Sequence, residues 1–434
     1  MNGRPLLVEN ARIVDPASGF DAVGALRVEG GRVAALAAGA APGVPEGAIR
    51  VDAKGLLLSP GLVDLRVFTG EPGREYRETL QSAAEAAAAG GVTSFLAMPD
   101  TQPVIDDGAL VDYLARRAQA TCKVRVLPAA AITRGLKGEE ITEFGLLREA
   151  GAVALTDGRQ SIQSSAVLRS AFGYAANFDL PVLHHVRDAD LAGEGVMNEG
   201  LFATVLGLKG LPVAAETIPL ARDLELAALT GVRYHAAQVS TGRSVELMAA
   251  AKARGGSVTA GVSINSLSLN ENDVGAYRSY FKLNPPLRSE ADRLAVVEGL
   301  RTGAIDTIHS DHDPQDTEVK RQPFAEASDG AVGLETLLAA ALRLHHSGDV
   351  PLVTLLRAMT SRPADILGID AGRLAVGAPA DFILVDLDYP WVVAEAALRS
   401  RSRNTAFEGA RLAGKVVATY VGGNRVFALE GAAA

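Results

Sequence analysis

Leu58-Ser59-Pro60-Gly61-Leu62-Val63-Asp64-Leu65-Arg66-Val67-Phe68 reads as an apolar strand entered through a Pro-Gly turn. Three later stretches end in a similar way, with polar residues closing an apolar stroke. They are Leu155-Thr156-Asp157-Gly158, Leu183-His184-His185-Val186 and Ile308-His309-Ser310-Asp311-His312. Strand candidates begin near Leu62, Thr93, Val124, Ala152, Val182, Val232, Ser257 and Ile305, and helical composition separates most of them. In the first such unit Thr79 to Ala89 is rich in Ala, Glu and Leu, Gly90-Gly91 stops it, and Thr93 to Met98 follows as a strand. Eight alternations predict a (β/α)8 TIM barrel, with a doubly wound open sheet as the alternative. In either architecture function sits where strands end and loops begin.

The flanks have a different rhythm. Leu6 to Val14 and Ala25 to Val33 are short apolar strokes, with Gly30-Gly31 as a hairpin signal. β character returns in Asp381 to Val385 and in Gly414 to Val421. Residues 1–57 and 369–434 are therefore predicted to pack as one small β-sandwich domain beside a barrel of residues 58–368. Two units suit a chain of 434 residues, since one core rarely serves more than roughly 250–300.

A net charge of −9 argues against a nucleic-acid surface, which would need clustered Lys and Arg. No apolar run approaches the ~18 residues of a membrane span, and no basic segment leads into an apolar one at the start, so no membrane partner is expected. The single cysteine, Cys122, reads as a small buried apolar side chain. With one thiol no internal disulfide forms, and a cytoplasmic location is expected.

Several ordered segments are similar to those of the dihydroorotases, within the cyclic amidohydrolase superfamily. They include Pro60-Gly61-Leu62-Val63-Asp64, Gly90-Gly91-Val92-Thr93, Met98-Pro99-Asp100-Thr101, Val196-Met197-Asn198-Glu199-Gly200, Asn284-Pro285-Pro286-Leu287-Arg288 and Asp311-His312-Asp313-Pro314. The resemblance implies one or two zinc ions at the C-terminal mouth of the barrel. Their ligands would be a His-x-His after the first strand, an Asp or modified Lys after the fourth, single His residues after the fifth and sixth, and an Asp after the eighth. A zinc-bound water would attack the ring amide, with the last Asp moving the proton.

Position by position the chain departs from that pattern. Arg66-Val67-Phe68 stands where the resemblance implies His-x-His, and Gln238 stands for the sixth-strand His. Neither a guanidinium nor a phenyl ring donates a lone pair to zinc, and Gln is a poor ligand. Asp157, His185 and Asp311 remain, with His184 on the opposite strand face and His235, His309 and His312 read as structural. The positions implied to bind a substrate carboxylate hold Gly70, Asp100 and Gln315, and Asp313 replaces a small residue. The loss of a cation there disfavours an anionic dihydroorotate.

Three readings follow from these residues. In the first, the metal site is degraded, Asp311 is a catalytic remnant, and Asp157 or Asp311 pairs with Arg66. No cofactor is then expected, with zinc at low occupancy at most, and the chain is an inactive homologue. The resemblance implies aspartate transcarbamoylase as its structural partner in pyrimidine biosynthesis, and a homo-oligomer is expected. In the second, a cyclic amide hydrolase works with one metal at Asp157, His185 and Asp311. In the third, an enzyme without metal uses Asp311 as general base and Arg66 as anion binder.

Overall fold

The computed structural model describes residues 4–431. Eight parallel strands form the central sheet: β1 (Leu62–Val67), β2 (Val92–Ala97), β3 (Arg125–Ala130), β4 (Ala154–Leu155), β5 (Val182–His184), β6 (Tyr234–Ala236), β7 (Val258–Ser263) and β8 (Thr307–His309). They pair in sequence order, and just beyond β8 a parallel bridge from Val67 to His312 closes the ring. Phe68 N donates to His312 O at 2.9 Å across that seam. The closure makes a barrel and excludes the doubly wound sheet. Every strand starts within two residues of its expected position.

Local chemistry explains why the first crossover folds. Thr79 caps the helix Leu80–Gly90 by accepting from Ser82 N, while Thr79 N donates to Ser82 Oγ. Gly91 ends the helix in the left-handed conformation at φ 83°. Ala83, Ala84 and Ala86 to Ala89 are buried, and a Cβ at Gly90 would collide with the Leu334 carbonyl. Small residues here let the helix lie close to its neighbours.

The barrel interior packs Leu65, Leu96, Met98, Ala129, Ala154, Leu183 and Ala237 against Ile366 and Leu367 of the helix Ser361–Leu367. That helix sits at the N-terminal ends of the strands. Arg362 pairs with Asp306, one residue before β8, and Arg233, one residue before β6, donates to the Ile366 carbonyl. The opposite end is left for function.

The terminal segments form one continuous eight-stranded sheet with a core of its own, including Leu6, Val8, Ile13, Leu26, Phe382 and Tyr420. The expected strand from Leu58 onward breaks at Gly61. Leu57–Pro60 pairs with both Leu6–Asp15 and Phe382–Val392, which joins the two ends of the chain, and only from Leu62 does the barrel begin. A Cβ at Gly61 would strike the Thr93 side chain, so the break occurs where the backbone passes a neighbouring strand closely. Cys122 is half-buried and directs its thiol at the Leu80 carbonyl, 3.3 Å away. No helix among the described residues is long and apolar enough to cross a membrane.

Candidate functional site

The site is built where β1, β5, β6 and β8 end. Asp311, two residues past β8, holds φ at 52°, in the left-handed region that Asp tolerates better than most residues. Its Oδ1 accepts from Arg66 Nε at 3.0 Å, and its Oδ2 accepts from Gln238 Nε2 at 3.0 Å. Arg66 also donates to the Gly158 carbonyl at 3.3 Å. The Arg66 and Asp311 side chains are only 6 % and 4 % exposed, so the pair is desolvated and its hydrogen bond is charge-assisted.

Asp157 takes no part in this pair. Its Oδ1 accepts from Ile132 N at 2.7 Å and Thr133 N at 2.9 Å, and its Oδ2 accepts from Thr133 Oγ1. The carboxylate is thus used to pin the loop after β3. Of the two acids expected to meet Arg66, Asp311 does so and Asp157 does not.

His185 is buried at the mouth with neither ring nitrogen hydrogen-bonded. Burial first, then Arg66, Arg187 and Arg159, hold its pKa well below the usual imidazole range, so the ring is neutral. His184 faces the other way, as alternation predicts: Nδ1 lies 2.6 Å from Asp223, and Nε2 accepts from Ile162 N. His235 contacts Thr259 Oγ1 at 2.8 Å, and His312 is held between Glu78 and Gly333 N. His309 is fully buried against the Ala237 backbone.

The remaining replaced positions form a second ionic group. Arg77 stacks over the Phe68 ring at 4.2 Å and donates to Asp313 at 2.7 Å. Arg159 also pairs with Asp313, and Gln315 Nε2 donates to the same carboxylate at 2.6 Å. Asp100 keeps one oxygen buried without a partner, and burial raises its pKa against the pull of Arg159. Gly70, at φ 67°, has no room for any side chain: a Cβ there would lie 2.7 Å from the Arg74 carbonyl oxygen and collide with that of Glu78. Sequence reasoning missed Arg77 and Arg159, whose spacing carries no signal of a shared acid.

A zinc centre of the kind the resemblance implies does not fit these residues. Three ligand positions hold Arg, Phe and Gln, and the guanidinium of Arg66 is bonded to Asp311 while Asp157 is turned to the loop after β3. Among the described residues no three His, Cys, Asp or Glu side chains are grouped so as to hold a metal ion. Asp157, His185 and Asp311 are therefore not brought together as one ligand set. What the arrangement does offer is a satisfied ion pair beside a neutral, unpartnered imidazole.

Residues 55–244 match the dihydro-orotase-like family and residues 295–427 the amidohydrolase family. A dihydroorotase of Anaeromyxobacter sp. (strain K) is 44% identical over 97% of either chain. A dihydroorotase of Syntrophotalea carbinolica is 41% identical over 98% of this chain and 99% of its own. Among solved structures, the L-hydantoinase (dihydropyrimidinase) of Arthrobacter aurescens superposes with a TM-score of 0.87 at 26% identity, over 98% of this chain and 97% of that one. With near-complete coverage at over 40% identity, and a barrel of the same architecture, this chain belongs to the dihydroorotase family of the amidohydrolases.

Proposed function

We propose that this chain is a dihydroorotase-family protein of pyrimidine biosynthesis that does not itself assemble the hydrolytic centre and acts as a structural partner of aspartate transcarbamoylase. One observation carries the first half of this reading. Both oxygens of Asp311 are taken by Arg66 and Gln238, the residues at two implied His positions. Each oxygen keeps a further acceptor site, but the Arg66 guanidinium lies against the buried carboxylate, and its charge opposes a metal cation at the same place. The partner rests on the family resemblance alone.

The names of the relatives favour a second reading, in which the chain hydrolyses dihydroorotate or a related cyclic amide at the same mouth. One experiment separates the two. Protein purified in zinc-replete, chelator-free buffer is analysed for metal, and ring opening of dihydroorotate is followed on the same sample. Metal near zero and no turnover support the first reading. Turnover that disappears in Asp311→Asn establishes the second. For the partner, co-migration with aspartate transcarbamoylase in size exclusion at micromolar concentration is the expected result, and clean separation refutes it.

A further inference from the structure

The loop that carries Arg399-Ser400-Arg401-Ser402-Arg403 alternates in exposure. Its serines turn inward and are buried: Ser400 Oγ donates to Glu78, and Ser402 Oγ donates to the Arg77 carbonyl at 2.7 Å. Its arginines stay outside. The Arg399 guanidinium lies 5.1 Å from the centre of the Phe427 ring, and Arg401 Nε donates to the Tyr76 carbonyl at 3.2 Å. Arg403 makes no side-chain hydrogen bond or ion pair among the described residues. The serine contacts thus hold three guanidinium groups on the surface along the segment Arg74 to Glu78.

Two further observations single this surface out. Tyr76 is 60% exposed there, and Tyr and Arg are the residue types enriched where proteins bind one another. Beside Arg399 opens a cleft of about 260 Å³ whose walls include Gln81, Glu85, Lys123 and Phe427. Lys123 has no side-chain hydrogen bond or ion pair among the described residues. The acids nearby, Glu75, Glu85 and Glu335, accept from Gly73 N, Gln81 Nε2 and Arg399 N. They are outnumbered by Lys123 and the three arginines of the loop. In a chain of net charge −9 the patch is a local reversal of sign.

We propose that this surface docks an acidic segment of a partner protein, its carboxylates pairing with the exposed guanidinium groups and one of its side chains entering the cleft between Arg399 and Lys123. A guanidinium meets a carboxylate through two parallel N–H groups, which a planar fork supplies and an ammonium does not. The cleft, about 260 Å³, is several times the ~30 Å³ share of one water, so it admits a whole Glu side chain. The proposal stands whether or not the chain hydrolyses a cyclic amide, because Arg66, Asp311 and Gln238 do not enter it.

Fluorescence anisotropy of a labelled octaglutamate peptide, titrated with the full chain at low ionic strength, tests it. A labelled single-stranded oligonucleotide of matched charge is the competing polyanion. The chain as a whole is anionic, so polyglutamate binds only where a local cationic surface receives it. Saturable binding of the peptide, tighter than that of the oligonucleotide, is expected. Arg399→Gln/Arg403→Gln weakens it at least tenfold. Arg116→Gln/Arg301→Gln, which removes the same charge from exposed helix surfaces, leaves it within twofold. Far-UV circular dichroism checks that both variants are folded. No saturable binding of the peptide overturns the proposal, as does an oligonucleotide bound as tightly or more tightly. A smaller loss in the first variant, or an equal loss in the second, overturns it too.

Discussion

Replacing Arg66 by Met isolates the worth of the ion pair at the barrel mouth. In the intact chain Asp311 has two donors, Arg66 Nε and Gln238 Nε2, each at 3.0 Å, and is 4 % exposed. Arg66→Met keeps much of the side-chain volume and removes the cation, so a buried carboxylate remains with one neutral donor. Removing one partner of a buried pair costs roughly 3–5 kcal/mol. The surviving amide contact recovers about 1 kcal/mol of that, which places the net loss near 3 kcal/mol. Urea denaturation followed by far-UV circular dichroism reads the difference at pH 7.5. The double variant Arg66→Met/Asp311→Asn should be more stable than Arg66→Met alone, because no charge is left unpaired. A loss under about 1 kcal/mol, or a double variant less stable than the single, would refute the reasoning.

Asp157→Ala should cost roughly 3 kcal/mol or more, since two backbone N–H groups and the Thr133 hydroxyl lose their acceptor. Metal content should not change, and a fall in bound zinc with unaltered stability would restore Asp157 as a ligand. Gly70→Ala should destabilise by more than about 2 kcal/mol, through its φ of 67° and the collision with the carbonyls of Arg74 and Glu78. Faster proteolytic cleavage between residues 70 and 78 is the readout. Burial brings His235 and His309 down to about 3, against about 6.5 when unfolded. The unfolded chain therefore binds protons that the folded chain refuses between these values, and stability falls as pH is lowered from 6.5 to 3. His309→Gln should flatten that acid limb by up to about 1.4 kcal/mol per pH unit, measured by urea denaturation at pH 7, 6 and 5.

Periodicity made the barrel legible, because strands of a closed parallel sheet are apolar runs, several of them entered after a helix-stop glycine, as at Gly91 before β2, Gly231 before β6 and Gly303 before β8. It did not reveal the break at Gly61, which depends on how closely Thr93 approaches the backbone. The pairing of Arg66 with an acid was readable as charge chemistry. Which acid it meets was not, since Asp157 and Asp311 both follow apolar strokes in the sequence. The choice lies in two backbones: Ile132 and Thr133 turn their N–H groups onto Asp157, and Asp311 is turned inward by its left-handed φ.

The two halves of the mouth are balanced differently, and the difference bears on function. Around Asp311 a metal's charge is answered by a guanidinium, and the second oxygen by an amide, so that half is electrostatically closed without any ligand. Around His185 nothing similar has happened. The buried imidazole has neither ring nitrogen hydrogen-bonded, and buried polar groups of this kind ordinarily find a partner. Loss of the hydrolytic centre alone accounts for the first half and leaves the second unexplained.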